Sequence, residues 1–103
     1  MTNESVLYSD IGQRLEAIRL SFSTNNKTLW ADINGFNLTQ YSNWISGNRR
    51  IPIEAAERLC DKYELTLGFI YRGRLGSLPD SVRSKLEPHL PQAAEFRLKR
   101  AKN

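Results

Sequence analysis

Residues 26–50 read Asn26-Lys27-Thr28-Leu29-Trp30-Ala31-Asp32-Ile33-Asn34-Gly35-Phe36-Asn37-Leu38-Thr39-Gln40-Tyr41-Ser42-Asn43-Trp44-Ile45-Ser46-Gly47-Asn48-Arg49-Arg50. The pattern predicts a short helix, a tight turn at Gly35 and a second short helix whose outer face is polar but uncharged. Two arginines follow. Ala31 and Gly35 lie four apart, the spacing needed by a helix that approaches a neighbour closely and then stops sharply. Gly35 takes the left-handed conformation that ends a helix at no steric cost. Asn37 is placed to cap the next helix, about 38–46, which Gly47 closes. Leu38, Tyr41 and Ile45, with Trp44 beside them, form its apolar side. Thr39, Gln40 and Asn43 form the opposite side, with Ser42 and Ser46 at the edges.

Outward from this stretch, Ile11, Leu15, Ile18 and Phe22 recur at helical spacing, and Asp10 with Gln13 suggests a capping box. A helix is therefore expected over about 10–22, behind a flexible arm at 1–9. The second helix is expected over 27–34, with Leu29, Trp30 and Ile33 as core candidates. Pro52 suits a first helical position, and Ala56, Leu59, Cys60 and Tyr63 give a stripe for helix four over 52–63. Thr66 caps a fifth helix at 67–71, ending near Gly73, and Leu78-Pro79-Asp80 opens a sixth. With no alternating strand pattern, the expected class is all-α: a compact five-helix domain over 10–73 with a C-terminal helical extension at 74–103. In that extension Leu75, Leu78, Val82, Leu86 and Leu90 are more apolar than an idle linker requires, which makes it a candidate dimer contact. Its basic tail, 92–103, carries Ala94, Leu98 and Ala101 at helical spacing.

The totals exclude several classes. The 103 residues fit one domain, and 40% hydrophobic residues suffice for a small core. No apolar run approaches the roughly 18 residues of a membrane span, and the polar start is no secretory signal. The expected location is cytoplasmic and nucleoid-associated. Cys60 is the one cysteine and His89 the one histidine, so no disulfide or metal cage is expected, and Cys60 reads as a small core residue. Trp30 and Trp44 sit on apolar stripes and read as core. No nucleophile–base pair, phosphate-cradling loop or ligand cluster supports an enzyme.

Net charge is +4, with a pI near 9.5. Residues 1–48 contribute −1 and residues 49–103 contribute +5. An uncharged helix face followed by concentrated positive charge suits a division in which base edges set specificity and phosphates set position. Gln and Asn amides can bond adenine N6 and N7 together, and a Thr methyl can pack on a thymine methyl.

With these residues assembled, the chain resembles the helix-turn-helix family of phage Cro and phage repressor proteins, the XRE-like family. The resemblance spans about 11–73. It rests on Ile11-Gly12-Gln13-Arg14-Leu15-Glu16-Ala17-Ile18-Arg19, on Ala31 and Gly35, and on Ser46-Gly47-Asn48-Arg49-Arg50-Ile51-Pro52. Leu65 to Gly73, followed by Leu78-Pro79, is similar to a bacterial and prophage-borne subgroup. The resemblance implies a homodimeric transcription regulator, usually a repressor, that binds a double-stranded DNA operator with two half-sites. By position it implies base reading by Thr39, Gln40, Ser42 and Asn43, and phosphate contact by Lys27, Ser46, Arg49 and Arg50. No cofactor is implied. Activation would require a surface facing RNA polymerase, whereas repression needs only occlusion. A second reading is an antitoxin-like interaction module holding a toxin-like partner through the C-terminal region.

Three positions depart from the family pattern. Ile45 stands where many members have a glutamate paired with the arginine of helix one, so Arg19 is expected to turn to Glu16, a backbone carbonyl or DNA. Lys27 stands where a glutamine often opens helix two. Tyr41 replaces a small aliphatic residue, which predicts wider packing of the motif helices.

Overall fold

The computed structural model describes residues 7–90. Among them the secondary structure is entirely helical: α1 (Ser9–Phe22), α2 (Lys27–Ile33), α3 (Leu38–Ile45), α4 (Ile53–Tyr63), α5 (Leu67–Arg72) and α6 (Asp80–Leu86). Short 3₁₀ turns occur at Leu75–Ser77 and Glu87–His89. The all-α class expected from the sequence is the class observed. No helix among the described residues is long and apolar enough to cross a membrane. Most of the arm (1–6) and the whole basic tail (92–103) lie outside the described residues.

The central helix is α1, whose Ile11, Leu15, Ala17 and Ile18 are buried. It starts without the expected Asp10–Gln13 box. Tyr8 occupies the cap position with no side-chain cap bond, and the Tyr8 carbonyl accepts from Gly12 N–H at 3.0 Å. Asp10 instead lies in the first turn, where a carboxylate favours the positive end of the helix dipole. Residues 8–9 thus belong to the fold and not to an arm.

Between α2 and α3 the chain turns by a Schellman motif. Phe36 N–H donates to the Ala31 carbonyl at 2.8 Å and Gly35 N–H to the Asp32 carbonyl at 3.1 Å, with Gly35 at φ +83°. Phe36 then turns inward and packs edge-on against Trp44 at 4.9 Å. Trp30 and Ala31 are buried as the inner face of α2, but Leu29 and Ile33 are 45% and 47% exposed. The expectation that both are core residues is therefore corrected. At 100° per residue a two-turn helix that buries Trp30 and Ala31 carries Leu29 and Ile33 toward its rim. Leu38, at the first position of α3, is likewise exposed, while Tyr41 and Trp44 are buried and Ile45 is half-buried.

Helix α4 begins one residue later than expected, with Pro52 as its cap, and buries Ala55, Ala56 and Leu59. Cys60 is half-buried among apolar neighbours, and burial, with the Asp61 and Glu57 charges, pushes its thiol up to about 11, which favours the protonated form. Thr66 caps α5 as expected, its hydroxyl oxygen accepting from Phe69 N–H at 3.0 Å.

The C-terminal segment differs most from expectation. Leu78, Val82 and Leu86 are buried, and Leu75 and Leu90 pack partly against the same core. The five expected helices and α6 share one core, and the apolar residues read as a dimer contact are covered by their own chain. Lys85 reaches over the Phe22 ring at 5.3 Å, and the Ser21 hydroxyl, which donates to the Ala17 carbonyl at 2.6 Å, also lies 3.1 Å from the Lys85 carbonyl, so α6 packs against the end of α1.

Candidate nucleic-acid interface

Helix α3 presents two unlike faces. Its inner face is held by Tyr41 and Trp44, 1% and 4% exposed. Its outer face exposes Thr39, Gln40 and Ser42, with Asn43 half-buried. At the helix start the Asn37 carboxamide oxygen accepts from Gln40 N–H at 2.8 Å, and Gln40 Oε1 accepts from Asn37 N–H at 3.0 Å. This capping box removes two free donors. It also engages the Gln40 carbonyl, leaving its NH₂ as the freer part of the amide.

The helix ends so as to place the arginines. Gly47 N–H donates to the Trp44 carbonyl at 3.3 Å, and Arg49 N–H reaches back to the Asn43 carbonyl at 3.1 Å. The chain therefore curls beside Asn43 before Arg50 emerges. Thr39, Gln40, Asn43, Arg49 and Arg50 meet around one open groove of about 960 Å³, completed by Tyr8, Trp44, Asn48 and Pro52. Both arginines are exposed, and neither forms an ion pair among the described residues.

Not every residue expected at the site joins this groove. Ser42 is exposed but lies beside it. Ser46 also lies outside, and its hydroxyl donates to the Asn43 carbonyl at 3.2 Å. Lys27, exposed at the start of α2, is likewise outside the groove, and its charge acts on Glu16. Asn26 caps α2 there by accepting from Leu29 N–H at 2.9 Å. Sequence reading missed Tyr8, Asn48 and Pro52 as lining residues. Tyr8 lies far from α3 in sequence, and no periodic signal marks it.

Behind the outer face, a polar network fastens α3. The Tyr41 hydroxyl donates to Glu16 Oε2 at 2.5 Å. Arg19 Nε and NH2 hold both carboxylate oxygens of Glu16, at 3.1 and 2.8 Å, and NH1 donates to the Asn25 carbonyl at 2.9 Å. Arg19 thus takes two of its expected partners, Glu16 and a backbone carbonyl. Burial acts to raise the Glu16 pKa, but the hydrogen bonds from Arg19 and Tyr41, with the Arg19 and Lys27 charges, hold it below the ordinary carboxylate value. Burial and the Glu16 carboxylate both push the Tyr41 hydroxyl well above its usual range. Tyr41 accordingly stays protonated and a donor.

Helix α1 crosses α3 at Gly12. A Cβ there would collide with the Ile45 carbonyl oxygen and stand 2.8 Å from the Trp44 carbonyl oxygen. Only a residue without a side chain permits this approach. Comparison with protein-family models, with curated proteins and with solved structures gave no match.

Proposed function

We propose that this chain is a sequence-specific double-stranded DNA-binding transcription regulator, acting as a homodimeric repressor. In this reading α3 enters the major groove, and Thr39, Gln40, Ser42 and Asn43 face base edges. Arg49 and Arg50 take phosphates at one rim of the groove, and Lys27 and Ser46 take phosphates outside it. The observation that carries the reading is the exposure of an uncharged amide-and-hydroxyl face on a helix anchored from behind, with two arginines free of carboxylate partners among the described residues at its edge. Such a surface supplies hydrogen-bonding groups without a fixed charge that would favour phosphate over bases. A homodimer would present two copies to half-sites about 34 Å apart. Occupancy alone then represses by excluding other proteins from the operator, and no cofactor takes part.

Titration of the full chain with duplex DNA over a salt series tests the reading. Binding should weaken as salt rises, and Arg49→Ala and Arg50→Ala should each lower the slope of log K against log salt by about 0.9. Absence of binding, or slopes unchanged in both variants, would contradict it.

A further inference from the structure

We infer that Tyr8, which precedes the motif, is a positioning residue for Arg50, and that the Tyr8–Arg50 pair receives the sugar–phosphate backbone of the bound duplex. This rests on the DNA-binding reading above and adds a residue to it that neither the polar face nor the arginine pair points to.

Four observations converge on the pair. The Tyr8 backbone N–H donates to the Gly47 carbonyl at 3.3 Å, so the start of α1 is hooked to the chain just past α3. The Arg50 guanidinium carbon stands 5.7 Å from the Tyr8 ring centroid, within range of a cation–π contact. Tyr8 and Arg50 line both the groove beneath α3 and an adjoining depression of about 520 Å³ that includes Ile53 and Tyr71. The Tyr71 hydroxyl donates to the Ile51 carbonyl at 2.6 Å, and Ile51 is buried, so the backbone immediately after Arg50 is fixed.

Arg50 therefore has a ring beneath it and an anchored backbone after it. Its charge lies close enough to Tyr71 to oppose the burial that raises that hydroxyl's pKa. Arg49 has no aromatic contact among the described residues. An arginine whose rotamers are already restricted loses less freedom on meeting a phosphate. The two depressions meet at this pair, so a strand whose bases face α3 continues over it. Arg50 offers the charge to the backbone, and Tyr8 acts through it by holding the guanidinium in place.

A double-mutant cycle on the full chain, binding a mixed-sequence DNA duplex, separates the possibilities. Tyr8→Ala should weaken binding by about two- to fivefold in the native background. It should have no further effect in the Arg50→Ala background. Tyr8→Phe should bind like the native chain. Tyr8→Leu keeps apolar bulk without the ring and should reproduce the Tyr8→Ala result; it serves if Tyr8→Ala does not fold. Equal weakening in both backgrounds, or no weakening by either ring-removing variant, overturns the inference while leaving the DNA-binding reading intact. Failure of the native chain to bind duplex DNA overturns both.

Discussion

The Tyr41 hydroxyl and the Glu16 carboxylate, 25 residues apart in sequence, meet at 2.5 Å and join α3 to α1. Because Arg19 holds both oxygens of the same carboxylate, the contact is part of a charge-assisted chain that extends to the Asn25 carbonyl just before α2. All three helices on which the proposed interface depends are thereby linked. Tyr41→Phe removes one charge-assisted bond to Glu16 Oε2, which keeps its bond from Arg19 Nε, so a loss of about 2 kcal/mol is expected in urea denaturation. A loss too small to measure would show that the contact does not hold α3 in place.

The same network gives stability a pH dependence of defined sign. The Glu16 pKa is depressed in the folded chain relative to the ordinary value of 4.5. Its contribution is fully present above that value and is lost as pH falls through the lower, folded-state pKa. The stability difference between the native chain and Glu16→Gln should therefore be constant near neutral pH and shrink in acid below 4.5. A difference that widens in acid would reverse the assignment.

Gly12→Ala tests the close crossing of α1 and α3. Helix propensity alone favours alanine by about 1 kcal/mol. The added Cβ would meet the Ile45 backbone, which cannot rotate away as a flexible side chain can. A net destabilisation of about 2 kcal/mol is expected. A stabilised variant would mean that the two helices separate readily.

Gln40 and Asn43 should differ as readers. Gln40 Oε1 already accepts from the Asn37 backbone, so Gln40→Ala should lower stability by about 1 kcal/mol and alter base preference modestly. Asn43 forms no such cap, and Asn43→Ala should relax preference at one operator position by about 1–3 kcal/mol of discrimination. Competition binding to a set of single-base operator variants would separate the two. The reverse ranking would argue against the capping box persisting on DNA.

Arg14 is buried, and its Nε donates to the Ile70 carbonyl at 2.9 Å, tying α1 to α5. Arg14→Ala should cost about 3 kcal/mol, through the lost bond and the vacated volume. Since Arg14 does not line the groove, the DNA affinity of the folded fraction should be unchanged. A specific binding defect in a stable Arg14 variant would require a different role.

The motif was the most legible part of the chain because its signals are local. Asn26 and Asn37 cap the helices, and Gly35 ends α2 with the expected left-handed backbone. What escaped reading depends on distant partners. Helix α4 ends after Tyr63 as expected, but the left-handed backbone that ends it, φ 58° at Glu64 without glycine, has no local marker. Leu78, Val82 and Leu86 were legible as apolar, but only the path of the chain back to α1 reveals that they face their own core. Tyr41 brings a hydroxyl to the Glu16 carboxylate that Arg19 also grips, a link between α3 and α1 that no local signal marks. At the candidate site, the polar face and the arginines were readable from spacing. Tyr8 was not, because its place under Arg50 is set by a long-range backbone bond to Gly47.

Selection of bound sequences from random duplex DNA, with the native chain and with a variant carrying Thr39→Ala, Gln40→Ala and Asn43→Ala, tests the proposed function most directly. The native chain should enrich a two-fold symmetric motif with half-sites one helical turn, about 34 Å, apart. The variant should retain weak, salt-sensitive binding without that motif. Enrichment of the same motif by both proteins, or no enrichment by the native chain, would contradict base reading by α3.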